Sequence, residues 1–359
     1  MFKTPIFKGS CTAIVTPFNE NGIDYDKMAE LIDFQYDNGT SAIVVCGTTG
    51  ENATMSRYEH EELIEFTCRH NDGRMKIIAG IGSNDTAKAL GFARCALRCD
   101  ADGVLMVTPY YNKATQVGLI KHFTYVADRV DIPMIVYNVP SRTSVGIKLD
   151  TYIELSKHPN INGVKEASGD FSLFAATRAE CGNDLFIWSG NDDNTVPMMA
   201  LGALGVISVA SNVVPAAVAK LCELCLDGNF LQAQQLYYKY SRLFSDLFIE
   251  TNPIPVKAAM KMIGFDCGKL RLPLTEISPE HMQRLAESMD DIVGNIHHII
   301  DRTQADNTQL VLQPFGAFFH CNPFHRNAGI SGTCLAVLYS YFNIQVVIFY
   351  RKSVYRRFL

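Results

Sequence analysis

Eight short apolar runs, each followed by a stretch with helical spacing, succeed one another between residues 11 and 226. The runs are 11–15, 41–45, 76–79, 103–107, 134–137, 161–165, 185–188 and 205–209. The helical stretches are 24–38, 56–69, 85–98, 115–130, 149–157, 171–180, 194–201 and 215–226. Met28, Leu31, Ile32 and Phe34 show the apolar stripe of one such helix, Gly39 supplies its stop, and His158-Pro159 stops another. Strict strand–helix alternation is the pattern of a (β/α)8 TIM barrel, although a doubly wound open sheet alternates in the same way. After residue 226 the pattern is helical only, over 229–248, 255–263 and 279–293. The expected organisation is a catalytic barrel at 1–226, a C-terminal helical annex at 227–295 and a tail at 296–359.

The tail has a different texture. Residues 335–350 carry no charge and are followed by Arg351, Lys352, Arg356 and Arg357, which reads naively as a marginal membrane span with a basic flank. Ser340, Asn343 and Gln345 weaken that reading, and His320, Cys321 and His325 lack a fourth ligand that would fix a metal. The tail is expected to be disordered or to come from translation beyond the natural stop.

The totals are those of an ordinary globular chain: 359 residues, 48% hydrophobic, 19% charged, net charge −5. Mild acidity gives no reason to expect nucleic acid or an anionic membrane as partner. No signal peptide is expected, because Lys3, Pro5, Lys8 and Gly9 interrupt the first residues. The 11 cysteines do not form a disulfide framework in a chain this long. Cys46 falls in a strand run, and the Cys222–Cys225 spacing falls mid-helix, where core packing is the favoured reading. Reduced thiols suit a cytoplasmic protein.

In a parallel barrel the functional residues come from the C-terminal ends of the strands. Lys165 ends the sixth run, and alternation puts it on one face with Gly163 while Val164 and Glu166 take the other. A lysine facing an apolar interior is desolvated, which lowers its pKa and frees an amine for Schiff-base chemistry. An isolated lysine of this kind is more often paired with a carboxylate; the other strand ends are what favour chemistry. They bring Thr48, Thr49, Glu51, Tyr110, Tyr111, Tyr137, Arg142, Gly190, Asn191, Ile207 and Ser208 to one rim. The two glycines of Gly47-Thr48-Thr49-Gly50 are expected to free the backbone for a tight turn. Imine chemistry needs these residue types: a lysine for the adduct, a tyrosine and hydroxyls to move protons, an arginine to hold a carboxylate. A dinucleotide fingerprint fails after Gly80-Ile81-Gly82, where Asp85 stands in place of the third glycine, and no P-loop occurs.

At these residues the chain closely resembles the 4-hydroxy-tetrahydrodipicolinate synthase (dihydrodipicolinate synthase) family. The resemblance rests on GTTGE at 47–51, TPYYN at 108–112, YNVPSRT at 137–143, GVKEASGD at 163–170, NPIPVK at 252–257 and LRLPLTEIS at 270–278. It covers roughly residues 6–293 and has no counterpart for the tail. It implies a class I aldolase-type barrel, a homotetramer built as a dimer of tight dimers, and condensation of pyruvate with L-aspartate 4-semialdehyde on the route to diaminopimelate and lysine. Carried over, Lys165 forms the imine, Tyr137 shuttles protons and Thr48 relays them to Tyr111, which enters from the neighbouring subunit. Thr49 holds the pyruvate carboxylate, Arg142 binds the semialdehyde carboxylate, and Gly190 and the Ile207 carbonyl line the pocket. Ser144 stands where a glycine is usual. No metal or organic cofactor is expected, since the imine is the electron sink. N-acetylneuraminate lyase and the 2-keto-3-deoxy-aldonate aldolases share the lysine and tyrosine, but usually read GSTGE and lack the arginine in this context, so Thr48 and Arg142 favour the synthase.

Sensitive members of the family bind lysine in a crevice whose matching positions here are Asn52, Ala53, Arg57, His60, Asn84, Lys88 and Tyr110. Arg57 replaces a usual histidine and Lys88 a usual glutamate. Two added cations facing a ligand with two ammonium groups imply a degenerate feedback site and an enzyme insensitive to millimolar lysine.

Overall fold

The computed structural model describes residues 3–293, and the readings made for residues 296–359 lie outside them. Eight parallel strands close into a barrel: β1 (Gly9–Ala13), β2 (Ala42–Val45), β3 (Lys76–Gly80), β4 (Gly103–Val107), β5 (Met134–Asn138), β6 (Ile161–Glu166), β7 (Phe186–Ser189) and β8 (Gly205–Ser208). Each strand pairs with the next, and β8 returns to β1. Closure excludes the doubly wound alternative.

The helices between them are α1 (Tyr25–Asp37), α2 (Arg57–Asn71), α3 (Thr86–Arg98), α4 (Gln116–Ala127), α5 (Leu149–Ser156), α6 (Phe171–Cys181), α7 (Thr195–Ala200) and α8 (Pro215–Leu226). Their starts are written in the sequence. Asp24, Ser56, Asp85, Thr115 and Asp170 each accept a backbone N–H of the first turn, and Ser56 with Glu59 forms a full capping box. The annex is α9 (Phe230–Asp246), α10 (Ile254–Met262) and α11 (Pro279–Val293). Among the described residues no helix is long and apolar enough to cross a membrane.

Strand alternation makes two cores. Ile43, Val45, Val104, Met106, Val136, Val164 and Ile187 face outward and meet the helices. Cys11, Val44, Ile78, Leu105, Ile135, Trp188 and Ile207 face inward and fill the barrel. Trp188 stacks on Phe7 at 4.9 Å and lies over Gly163, where a Cβ would come within 2.6 Å of its ring. Both cysteines of the Cys222–Cys225 pair are buried within α8, as packing residues.

Several local expectations need correction. β1 begins two residues earlier than the apolar run, because Gly9 and Ser10 pair with β8 although neither is apolar. Cys46 lies just past β2 in the left-handed region, at φ 56°. The glycines of the following loop do not make its turns. Cys46 and Glu51 adopt positive φ, whereas a Cβ at Gly50 would meet Thr16 Oγ1 at 3.1 Å and one at Gly47 would meet Val44 at 3.2 Å, so those glycines serve close packing. A hairpin, Phe18–Asn19 with Gly22–Ile23, and a helical turn, Pro140–Thr143, are too short for periodicity to reveal. The pairing of β5 with β6 slips by one residue at Asn162, so Ile161 and Val164 both belong to the outer core while Gly163 and Lys165 point inward.

Candidate active site

A cavity of about 520 Å³ opens at the C-terminal ends of the strands. Lys165 rises into it from β6, beside Tyr137 in register on β5 and Trp188 on β7. Its side chain is 5% exposed, and Nζ stands 4.4 Å from the centre of the Tyr137 ring. Burial pushes the ammonium down to about 8, Arg142 adds to the effect, and the buried Asp192 carboxylate opposes it. At pH 7 about one such lysine in ten is neutral, against fewer than about one in a thousand at the ordinary value. Burial likewise pushes the Tyr137 phenol up to about 12, with Arg142 opposing, so it stays protonated and can both give and accept a hydrogen bond.

The strand ends are braced from outside. Asn138 faces away from the barrel and donates from Nδ2 to both oxygens of Glu166, at 3.1 Å each. Tyr152 donates to the same carboxylate at 2.6 Å and the Ser168 N–H at 2.8 Å. The outward residues after Tyr137 and Lys165 thus lock the two strands that carry the inward pair. Asp192 braces the next corner, accepting from Ser208 Oγ and the N–H groups of Val209 and Ala210. A Cβ at Gly190 would stand 2.7 Å from Ala167 Cβ and 3.2 Å from Lys165 Cε, so only glycine leaves the lysine its room.

Thr48 and Thr49 line the cavity from the loop after β2, and Arg142 lines it from the turn after β5. The annex completes the wall with residues 248–252. Asn252 joins the parts: Nδ2 donates to Thr49 Oγ1 at 2.9 Å, and its carbonyl accepts from Arg142 Nη2 at 3.3 Å. Beneath this loop Glu51 meets Lys257 of α10 at 2.6 Å, with side chains 1% and 4% exposed, and accepts the N–H of Arg271 at 2.9 Å.

The structure therefore brings together Lys165, Tyr137, Thr48, Thr49, Arg142 and Gly190. Ile207 sits one residue before the end of β8 with its side chain in the inner core, outside the cavity lining. Tyr111 is also outside it, 92% exposed and at φ 70°. Sequence reasoning passed over Asn252, Lys257 and Glu250 as agents of the site. The available signal was a polar cluster, Glu250, Thr251 and Asn252, at a helix–helix junction, and it does not say which strand end the junction will meet.

Of the seven crevice positions, Asn52 and Ala53 fall on the turn Asn52–Thr54, Arg57 and His60 on α2, Asn84 in the loop before α3, Lys88 on α3, and Tyr110 in the loop after β4. His60 Nε2 donates to the Gly80 carbonyl at 2.7 Å, and its ring stacks on Phe92 at 3.9 Å. Burial pushes it down to about 4, so it is neutral at pH 7. Arg57 pairs with Glu61 at 2.7 Å and is 72% exposed, Lys88 Nζ lies 5.8 Å from the centre of the Phe92 ring, and the Asn84 carbonyl accepts from Asn112.

The model of the dihydrodipicolinate synthetase family matches residues 6–292. The chain is 50% identical over 282 residues to a 4-hydroxy-tetrahydrodipicolinate synthase of Thermoanaerobacter sp. (strain X514), across 78% of this chain and 95% of that protein. It superposes with a TM-score of 0.78 on the crystal structure of dihydrodipicolinate synthase from Aquifex aeolicus, at 48% identity over 79% of this chain and 97% of that one. The TM-score is also 0.78 to the crystal structure of DHDPS from Cyanidioschyzon merolae with lysine bound, at 38% identity over 80% and 99% of the two chains.

Proposed function

The chain belongs to the dihydrodipicolinate synthetase family, and we propose that its condensation of pyruvate with L-aspartate 4-semialdehyde runs through an imine at Lys165. The observation that carries this reading is the buried Lys165 amine, held about 8 in pKa and 4.4 Å from the Tyr137 ring in the cavity. The neutral amine attacks the keto carbon of pyruvate, water leaves the carbinolamine, and loss of a methyl proton gives an enamine that attacks the aldehyde. Tyr137, a phenol at rest, passes the protons, and Thr48, on the same cavity, relays them to Tyr111 supplied by a neighbouring subunit. Thr49, held by Asn252, binds the pyruvate carboxylate; Arg142 binds that of the semialdehyde; Gly190 leaves the lysine space, and the Ile207 carbonyl faces the pyruvate.

The assembly we infer is a homotetramer of two tight dimers. The 92% exposed Tyr111 supports that inference, since it does not line the cavity that holds Lys165 of its own chain. A cytoplasmic location suits the free thiols of the described residues. The imine serves as electron sink without metal or cofactor, so turnover should survive EDTA. Residues 296–359 lie beyond the family match, and a chain ending near residue 294 is expected to keep its activity; loss of turnover on that truncation would place the tail within the catalytic unit.

Borohydride added with pyruvate tests the mechanism. The expected result is a stable adduct mapped to Lys165, trapped about tenfold faster per pH unit between roughly pH 6 and 8 and levelling above, as the amine loses its proton. An adduct on another lysine, or a rate flat across that range, overturns it.

A further inference from the structure

One charge of the second substrate has no partner in this scheme. The semialdehyde is an α-amino acid, so it brings an ammonium as well as the carboxylate assigned to Arg142. Among the residues that line the cavity, Glu250 is the only one with a carboxylate. It stands on the wall contributed by the annex, two residues from Asn252, whose carbonyl accepts from Arg142. A cation and an anion thus share one side of the cavity, as a zwitterion requires.

The carboxylate is also held in a fixed attitude. Oε1 accepts from the Ser278 N–H at 3.0 Å, from Ser278 Oγ at 2.8 Å and from His281 Nδ1 at 2.7 Å. All of these donors sit at the start of α11 and bind one oxygen only. No donor among the described residues bonds Oε2, and the side chain remains 20% exposed. Partial burial pushes the carboxyl up, but the bonds from Ser278 and His281 outweigh it and hold the group below its ordinary value, so it is charged at neutral pH. An oriented carboxylate with one oxygen spent and the other unbonded, on a residue that lines the cavity, is a receptor for an N–H cation.

We propose that Glu250 is a specificity-determining residue that receives the ammonium of the semialdehyde, so that the cavity selects an amino acid and not merely an aldehyde with a carboxylate. This deepens the reading above and rests on it. Anchoring of the wall by Glu250 alone is the competing account, and the two differ in which ligands they affect.

The test compares L-aspartate 4-semialdehyde with 4-oxobutanoate, the same chain without its amino group, on the full-length protein. In the unaltered protein 4-oxobutanoate should compete at least about tenfold more weakly than the semialdehyde binds. Glu250→Gln keeps an acceptor oxygen for Ser278 and removes the charge. It should lower kcat/KM for the semialdehyde by roughly ten- to a hundredfold while the inhibition constant of 4-oxobutanoate changes by less than about threefold. Equal binding of the two ligands by the unaltered protein, parallel losses for both in the variant, or no loss for either, overturns the proposal. Pyruvate trapping by borohydride separates this from the underlying mechanism. An unaltered protein that traps nothing on Lys165 refutes the imine reading, whereas normal trapping with unchanged selectivity refutes only the role of Glu250.

Discussion

Arg142 is held by its neighbours and not by a countercharge: its guanidinium reaches the Asn252 carbonyl at 3.3 Å, and no ion pair involves it among the described residues. A guanidinium kept without a carboxylate partner is ready to form a bidentate pair with one from a ligand. Losing such a pair costs on the order of 2 to 5 kcal/mol, so Arg142→Ala should lower kcat/KM for the semialdehyde by tens- to thousands-fold. Trapping of pyruvate should change much less; equal loss in both measurements would mean that Arg142 organises the whole cavity. Lys88 raises the opposite question. We propose that it makes the lysine crevice unfavourable, since it sets a cation near the neutral His60, and Arg57 adds a second positive group nearby. Initial rates with lysine titrated to about 10 mM should show little inhibition, and half-inhibition below about 1 mM would defeat the charge argument.

Between elements, the decisive contact is the one that ties the loop after β2 to α10. Glu51, at φ 57°, holds a left-handed turn and ends in a buried pair with Lys257. The Phe18 ring lies 4.7 Å below that ammonium and 4.0 Å from the Arg271 guanidinium, which itself pairs with Glu59 of α2. Burial pushes the Lys257 ammonium down and Glu51 holds it up, so the ammonium depends on its partner. Lys257→Met strands a buried carboxylate and should cost about 3 to 5 kcal/mol of stability, read from the urea midpoint. Adding Glu51→Gln should recover most of that loss, because the uncompensated charge is gone. If the double variant is no more stable than the single, packing at Lys257 and not charge explains the cost.

For the whole molecule, the question is whether a chain holds a complete site. Tyr111 follows Tyr110 on an exposed loop, away from the cavity that holds Lys165. If a neighbouring subunit supplies it, chains damaged at different positions complement one another. Tyr111→Phe and Lys165→Ala proteins should each be nearly inactive. After dissociation and reassembly of a mixture, turnover should return to roughly a quarter or less of the unaltered level. A mixture no more active than its parts would show that each chain uses its own tyrosine or none.

What the sequence determined by itself is what local physics can carry. Period and punctuation marked all eight barrel strands and the eleven helices of barrel and annex, because a strand buried on both faces and a helix with an apolar stripe each leave a mark within a few residues. Alternation also put Lys165 on one face with Gly163, and the strand ends and family motifs named the rim residues, Tyr137 among them. Closure of the sheet was not legible, since an open sheet has the same alternation and only the pairing of β8 with β1 excludes it. The bulge at Asn162, the left-handed Cys46 beside Gly80, and the packing role of Gly50 against Thr16 were equally hidden, because each answers to a neighbour far along the chain. The same holds for the wall of the cavity. Asn252 touches Thr49 across 203 positions and Lys257 neutralises Glu51 from another element, and nothing in either stretch alone states that the two will meet. Tertiary structure made those pairings because a desolvated charge or hydroxyl must find a partner, and the annex is what the closed barrel presented.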